Sequence, residues 1–141
     1  MPPAERRAFL EATLAEHLRA ERALHYGDVT PRLSTWSHCD PVTLFGAAVP
    51  VRSGWSEIRP VFDWLARSFV SCDEYDFEVV AADADGDLAY IAGFERYRAV
   101  TARGLEIQNV LRATHVFRRE ARQWKIVHRH GDHAPDDTSN T

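Results

Sequence analysis

The sequence has only two cysteines and none of the features that mark secreted or membrane proteins. Cys39 and Cys72 lie far apart and form no CxxC pair, so we expect reduced thiols in a cytoplasmic protein. No apolar run is long enough to cross a bilayer, which argues against a membrane partner. The first twelve residues carry charges and no apolar core segment, so we expect no secretory signal.

The sequence also has no excess of basic residues over acidic residues. The net charge of the 141 residues is −4 at pH 7, and the arginines are scattered, which argues against a nucleic-acid partner. This length fits one domain with one core. Because no repeat or linker divides the chain, we assign residues 1–133 to a single domain and the polar residues 134–141 to a tail.

Two segments have the apolar spacing of amphipathic helices. The first runs from Ala4 to Leu24, and the second begins at Ser56 with an apolar stripe that continues to Val70. On the first helix, we expect His17 and His25 to lie at exposed or boundary positions. Between the helices, the sequence predicts one or two helical turns and a short hairpin.

The second half of the chain changes to the alternating pattern of strands. Turn signals at 85–87 and 103–104 and a charged run at 118–122 divide it into four long antiparallel strands. This order predicts an α+β fold in which helices pack in a curved, mainly antiparallel sheet. A sheet that curls around helices forms a cone with an internal pocket, and small molecules bind in such concavities.

The final strand has a polar face if it alternates regularly, because successive side chains point to opposite sides of a sheet. The residues of that face are Trp124, Ile126, His128, His130 and Asp132. In a hairpin with the preceding strand, His115 would lie across from His128 and His130.

The group of His115, His128, His130 and Asp132 has three interpretations. It could be a structural hydrogen-bonded network, since buried polar groups are normally paired. It could be a ligand-binding or acid–base pocket, since histidine exchanges protons near neutral pH. It could bind zinc or iron, but no HExxH or paired CxxC motif is present, so we predict neither a metal site nor a cofactor.

Glu95 is the candidate carboxylate. A carboxylate beside a histidine is a suitable acid–base pair, so our hypothesis is that His115, His130 and Glu95 share a pocket as catalytic residues. Alternatively, Glu95 forms an ion pair with Arg98 or Arg112 on a solvent-facing surface.

Five further residues are candidate ligand contacts: Trp36, Asp40, Tyr97, His128 and Asp132. Trp36 could equally belong to the core. Asp40 is also explained as a turn residue before Pro41.

Five blocks of sequence resemble the SnoaL-like branch of the nuclear-transport-factor-2-like superfamily. They are DPVTLFGA, GWSEIRPVFDW, GDLAYIAGFERY, LRATHVFRRE and WKIVHRHGD, in this order over about residues 10–133. The resemblance implies the cystatin-like α+β cone. This fold hosts ketosteroid isomerases, polyketide cyclases, epoxide hydrolases and kinase association domains, so it does not by itself fix a function.

Only some of the functional residues of these related proteins have a match in this sequence. Ketosteroid isomerases have a carboxylate base in the first hairpin strand, whereas residues 42–45 hold no acid here and Asp40 precedes them. Their first-helix tyrosine has no clear match; Arg19 lies near that point. The W-x-x-V-H-x-H ending at 124–130 is similar to kinase association domains, and His115 stands at their pocket arginine, which implies a ligand contact.

Two functions from different classes are therefore expected. The first is small-molecule binding, with acid–base catalysis of isomerase, cyclase or hydrolase type on a hydrophobic or polyketide-like substrate. The second is a non-catalytic ligand-binding or oligomerisation module. Phe94, Val116 and Val127 are expected on the sheet face that the helices leave uncovered, and because such patches mark interfaces, we predict a two-fold homodimer through the sheets.

Overall fold

The structure is a computed structural model that describes residues 3–135. The helices are α1 (Pro3–Leu24), α2 (Thr30–Thr35) and α3 (Trp55–Arg67). The strands are β1 (Thr43–Phe45), β2 (Arg52–Ser53), β3 (Phe69–Asp85), β4 (Leu88–Thr101), β5 (Glu106–Glu120) and β6 (Gln123–His133). From residue 136 onward, the predicted polar tail lies outside the described residues.

The six strands form one sheet in the order β2-β1-β6-β5-β4-β3. All neighbours are antiparallel except β1 and β6, which run parallel. β3 contains three register shifts, and irregularities of this kind bend a strand, which lets the sheet curve around the helices. The α+β fold with a curved, mainly antiparallel sheet is confirmed. Within the described residues, no helix is long and apolar enough to cross a membrane.

The inner ridge of α1 is more polar than the sequence analysis predicted. His17 and His25 are only 4% and 6% exposed, so the prediction of exposed or boundary positions is wrong. Thr13, His17, Glu21 and His25 follow one another at intervals of four residues and are all buried. Because residues four apart lie on one side of a helix, α1 points a polar ridge into the cone. That ridge is stable because partners from the sheet and α2 lie opposite it.

The end of α3 also differs from the prediction. The helix stops at Arg67, where the backbone N–H of Ser68 donates to the carbonyl oxygen of Leu65. Phe69 and Val70, which continue the apolar stripe in the sequence, instead begin β3. Aromatic and β-branched residues favour strands, so helical spacing alone could not locate this boundary.

A β-bulge at Val127 interrupts β6. Val116 pairs with His128, whereas Phe117 pairs with Ile126, so Val127 is an additional residue on the β6 side. Val127 packs against the core. An extra residue moves every later side chain of the strand to the opposite face.

The sequence analysis placed Trp124, Ile126, His128, His130 and Asp132 on one face of β6. This prediction is wrong for the residues that follow the bulge. Ile126 and Arg129 both point inward and are buried. His128, His130 and Asp132 lie on the outer face, which the helices do not cover. Beyond the bulge, the side chain of β6 that points into the cone is therefore Arg129, and not His128 or His130 as predicted.

Candidate functional site

A cavity of about 90 Å³ lies between the helices and the inner face of the sheet. Its polar lining residues are Glu21, His25, Arg32, Glu95, Tyr97 and Arg129, and most of the others are aliphatic. A surface groove of about 640 Å³ shares Ala47, Ala48, Leu65, Phe69, Tyr97 and Leu111 with it. The cavity therefore has a charged inner end and a mainly apolar connection to the surface.

A buried ion pair between Glu95 on β4 and Arg129 on β6 forms the floor of the inner end. Arg129 Nη1 and Nη2 donate to Glu95 Oε2 and Oε1 at 2.8 and 2.7 Å, and the two residues are 8% and 1% exposed. The expected surface pair of Glu95 with Arg98 or Arg112 is wrong. Arg98 binds a different glutamate on the outside, and Arg112 binds an aspartate there.

The electrostatics keep both partners of this pair charged. Burial alone would raise the pKa of the Glu95 carboxyl, but the charge and hydrogen bonds of Arg129 outweigh burial and hold that pKa well below its usual range. Burial alone would lower the pKa of Arg129, but Glu95 reverses the direction and raises it. Glu95 is therefore a carboxylate at neutral pH and a weak base.

His115 on β5 forms a hydrogen bond with Arg129 of this ion pair. Its Nε2 accepts a hydrogen bond from Arg129 Nη1 at 2.9 Å, so in the neutral ring the proton sits on Nδ1. Burial, followed by the charges of His17 and Arg129, holds the pKa of His115 well below its usual range. His115 is buried and does not line the cavity, so it orients Arg129 without reaching a ligand there.

His17 on α1 completes this inner cluster, which we define as His17, Glu95, His115 and Arg129. His17 Nε2 lies 3.7 Å from Glu95 Oε2, and the His17 and His115 ring centroids are 4.6 Å apart. Within the described chain, neither ring nitrogen of His17 has a hydrogen-bond partner. His17 therefore lies next to the ion pair without a hydrogen bond to it.

The inner cluster is a poor metal site. His17, Glu95 and His115 offer ligand atoms within 4.8 Å of one another, and two histidines with a carboxylate can bind iron. However, the guanidinium of Arg129 occupies both oxygens of Glu95 and the Nε2 of His115. A dication would have to displace this cation, so the residues fit a hydrogen-bonded cluster better than a metal centre.

A second buried ion pair, between Glu21 on α1 and Arg32 on α2, forms another wall. Arg32 Nε donates to Glu21 Oε2 at 2.7 Å, and Nη2 donates to Oε1. Burial alone would raise the pKa of Glu21, but Arg32 lowers it below its usual value. In the described residues, the remaining nitrogen of Arg32, Nη1, makes no hydrogen bond.

His25, one turn after Glu21, lines the same cavity. Its Nδ1 lies 2.7 Å from the backbone carbonyl oxygen of Glu21. A carbonyl oxygen can only accept, so Nδ1 carries the proton and Nε2 keeps its lone pair. The ring packs 4.5 Å from Phe69 and 4.4 Å from Tyr97, and burial lowers its pKa. His25 is therefore neutral at pH 7.

Three predicted ligand contacts lie in different surroundings. Tyr97 lines the cavity, and its hydroxyl accepts a hydrogen bond from Asn109 Nδ2 at 2.8 Å. Trp36 is buried in the core against Phe62 and does not line the cavity. Asp40 is exposed, and its Oδ1 accepts from the backbone N–H of Trp55 at 2.9 Å at the start of α3.

The other polar residues of β6 lie on the outer face. His128 Nδ1 is 2.7 Å from Thr43 Oγ1, and the Phe45 ring packs against both His128 and His130. Asp132 accepts two hydrogen bonds of 2.9 Å from Arg112. The shared pocket predicted for His115, His130 and Glu95 is therefore wrong for His130, although the structure does bring His115 and Glu95 together.

Comparison with known proteins supports the fold. The family described as "SnoaL-like domain" matches residues 13–134. No curated protein sequence matches the chain. A candidate dehydratase of the NTF2-like family from Streptomyces avermitilis is 21% identical, with a TM-score of 0.76 over 92% of this chain and 99% of that one.

Two other solved structures have the same architecture. A ketosteroid isomerase-like protein from Erwinia carotovora is 14% identical, with a TM-score of 0.70 over 90% of this chain and 97% of that one. An NTF2-like superfamily protein from Salmonella enterica is also 14% identical, with a TM-score of 0.74 over 97% and 96%. At these identities, the likeness shows a common fold and not a common activity.

Proposed function

This chain belongs to the SnoaL-like domain family, and we propose that it binds a small hydrophobic or polyketide-like molecule in its cavity and acts on it by acid–base catalysis. The reaction is of isomerase, cyclase or hydrolase type. The observation that carries the proposal is the division of the cavity into a charged inner end and an apolar mouth.

The inner end has the character of a catalytic environment. The carboxylates of Glu21 and Glu95 balance the guanidinium groups of Arg32 and Arg129, and all four residues are buried. Fixed charges act more strongly where water is excluded, and they need no reorganisation when charge develops on a substrate. A ligand oxygen that becomes negative would be stabilised by either guanidinium.

The mouth suits an apolar group. Leu65, Phe69 and Leu111 line both the cavity and the groove outside it. An apolar cavity of about 150 Å³ holds one benzene ring, so the 90 Å³ cavity has room for only part of a ring-sized ligand. A ring-sized ligand would therefore insert its polar end and leave the rest in the groove.

The predicted site residues take distinct roles in this proposal. Glu95 and Tyr97 contact the ligand, since both line the cavity. His115 acts as a positioning residue, because it bonds to Arg129 from outside the cavity. His128, His130 and Asp132 lie outside the cone and have no part in the chemistry of this cavity.

A thermal-shift screen with steroids, polyketides, aryl ketones and small carboxylates tests the binding function. A ligand at 100 times its Kd stabilises the folded state by about 2.7 kcal/mol, which raises Tm. We expect an aryl ketone or polyketide to raise the Tm of the wild type. The Ala48→Trp variant, which fills the mouth, should lose most of that shift.

Ala8→Trp is the matched control, because Ala8 is exposed on α1 and does not line the cavity or the groove. It should keep the full ligand-induced shift. Equal shifts in wild type and both variants would place the ligand elsewhere. No shift with any compound would favour a non-catalytic oligomerisation module, one of the two forms of the alternative function.

An oligomerisation module would use the outer face of the sheet as its interface. Phe45 and Tyr90 are 39% and 40% exposed there, and Phe94 and Val116 lie half-buried beside them. Val127, also expected on this face, packs against the core instead. The face mixes these apolar groups with paired charges such as Arg112 and Asp132, a composition suited to a second copy of the same surface.

We therefore propose a two-fold homodimer through the outer faces. Light scattering at micromolar concentration should give twice the monomer mass, and Val116→Lys should shift it toward the monomer by placing a charge in the buried interface. Arg67→Glu on exposed α3 is the control and should remain dimeric. A monomer mass for the wild type would contradict the proposed dimer.

A further inference from the structure

His25 is the cavity residue whose geometry is best suited to moving a proton. Its Nδ1–H is held by the backbone carbonyl of Glu21, which fixes both the tautomer and the ring orientation. Its Nε2 makes no hydrogen bond in the described chain, and the ring lines the cavity. A neutral imidazole with one anchored nitrogen and one available nitrogen is the usual state of a general base.

The other titratable groups of the interior are less suited. Glu95 stays ionised because Arg129 binds both of its oxygens, and a carboxyl group with so low a pKa accepts protons poorly. His115 already uses Nε2 to accept from Arg129 and does not line the cavity. His17 also does not line it, and its ring nitrogens are sealed from solvent.

Glu21 places a cation beside this base. Its backbone carbonyl holds His25, while its carboxylate holds Arg32 through Nε and Nη2. This leaves Nη1 of Arg32 without a hydrogen-bond partner in the described chain, while the guanidinium carbon lies 4.8 Å from the centre of the Phe62 ring, and both Arg32 and His25 line the cavity. Glu21 thus holds a proton acceptor and a positively charged group that line the same cavity.

We propose that His25 is the general base of the cavity and that its substrate carries a carbonyl group whose oxygen is bound by Arg32. This inference rests on the proposed function and adds the base and the substrate class. His25 Nε2 takes a proton from the carbon next to the carbonyl. The C–H electron pair forms the C=C bond of an enolate, and the carbonyl π pair moves to the oxygen.

The cycle closes without a further reactant. The enolate oxygen is stabilised by the Arg32 guanidinium, and the His25 imidazolium returns its proton to the same carbon or to a conjugated one. In D2O the imidazolium N–H exchanges with solvent before the return, so the first outcome places deuterium on the same carbon, and the second outcome is isomerisation. Tyr75 and Tyr97 also pack against the His25 ring, but burial raises the pKa of both phenols, so they stay protonated.

The test uses 2-tetralone, a bicyclic ketone with a fused aromatic ring and exchangeable protons on both carbons beside its carbonyl. Exchange of these protons in D2O is followed by proton NMR, and binding is measured separately by thermal shift. Wild-type protein should exchange them about 10²- to 10⁴-fold faster than His25→Asn, the range typical of general acid–base catalysis. Asparagine keeps a donor for the Glu21 carbonyl and loses the basic nitrogen.

The pH dependence gives a second readout. The exchange rate should be high at neutral pH and fall as the pH drops through the pKa of His25, because the imidazolium cannot accept a proton. Glu21 and Glu95 oppose this lowering of the pKa and Arg32 supports it, but burial dominates, so the fall should lie below the ordinary histidine value of about 6.5. His38→Asn, at an exposed site outside the cavity, should behave as wild type.

Each other result overturns the inference. If 2-tetralone binds but His25→Asn exchanges its protons as fast as wild type, His25 is not the base and the binding function stands. If no compound of the screen binds, the proposed function fails and this inference fails with it. If His25→Asn does not fold, ¹⁵N NMR of the wild type decides, because a charged His25 ring or a proton on Nε2 at pH 7 would contradict the assignment.

Discussion

Replacing Arg129 with methionine should lower the free energy of unfolding by about 3–5 kcal/mol, the usual cost of removing one partner of a buried ion pair. Methionine fills much of the same space, so the loss comes from charge and not from a hole. Glu95 would remain buried without the two hydrogen bonds of 2.8 and 2.7 Å that now satisfy its carboxylate. Urea denaturation at pH 7 measures the effect.

Two further variants test whether the unpaired buried charge of Glu95 causes the loss of stability in Arg129→Met. The double variant Glu95→Leu with Arg129→Met should recover most of the stability, because a buried ion pair can be replaced by apolar residues at little cost. Arg112→Met removes an exposed pair with Asp132 and should change the free energy of unfolding far less, because solvent screens exposed ion pairs. If Arg129→Met cost no more than Arg112→Met, the inward position of Arg129 would be wrong.

The effect of Arg129→Met should also shrink in acid. In the wild type the folded-state pKa of Glu95 lies below its unfolded value, so the pair stabilises the fold above about pH 4.3 and this contribution is lost as the pH falls. In the variant, burial without a cation raises that pKa, and protonation of Glu95 relieves the penalty. The stability difference between wild type and variant should therefore narrow from pH 7 to pH 4.

Replacing Gly93 with alanine should cost about 3 kcal/mol or more, at the upper end for an overpacked site. Gly93 on β4 pairs with Val79 on β3, next to a register shift. A Cβ atom at Gly93 would overlap the carbonyl oxygen of Glu78 and lie 2.9 Å from Cε1 of Phe77. Because the oxygen belongs to the backbone, relief requires the β3–β4 ladder to open. A glycine inside a strand often marks such a close approach.

Gly86→Ala provides the matched control. Gly86 has a positive φ of 61° in the β3–β4 turn, and a Cβ there meets nothing within 4 Å. Its cost should be limited to the conformational penalty of about 1–2 kcal/mol. Thermal denaturation of both variants gives the comparison, and a Gly93→Ala variant as stable as Gly86→Ala would show that the strands do not approach so closely.

Local patterns predicted the elements of this fold well. The order of α1, the short hairpin, α3 and four long strands follows from hydrophobic period and turn residues, and these properties depend on near neighbours in the chain. The family resemblance rested on the same elements. What such patterns cannot show is a single extra residue such as Val127, which reverses the facing of all later residues in β6.

The site was harder to predict because the side chains that contact each other there are far apart in the sequence. Glu95 and Arg129 are 34 residues apart and come from strands separated by β5. His25 directly follows α1 and lines the cavity because α1 packs inside the cone, whereas the apolar residues of the helix predicted a different inward face. One signal was present in the sequence: Thr13, His17, Glu21 and His25 recur every four residues, which marks a polar helical ridge.

The most direct test of the central claim, that the cavity is the ligand site, is ¹H–¹³C NMR of the histidine Cε1 groups during titration with 2-tetralone. The seven histidines report on different parts of the molecule. His17, His25 and His115 lie inside the cone, whereas His128 and His130 lie on the outer face. We expect the His25 signal to move most and the outer pair to stay unchanged. Movement confined to His128 and His130 would contradict the claim and place the ligand on the outer face of the sheet.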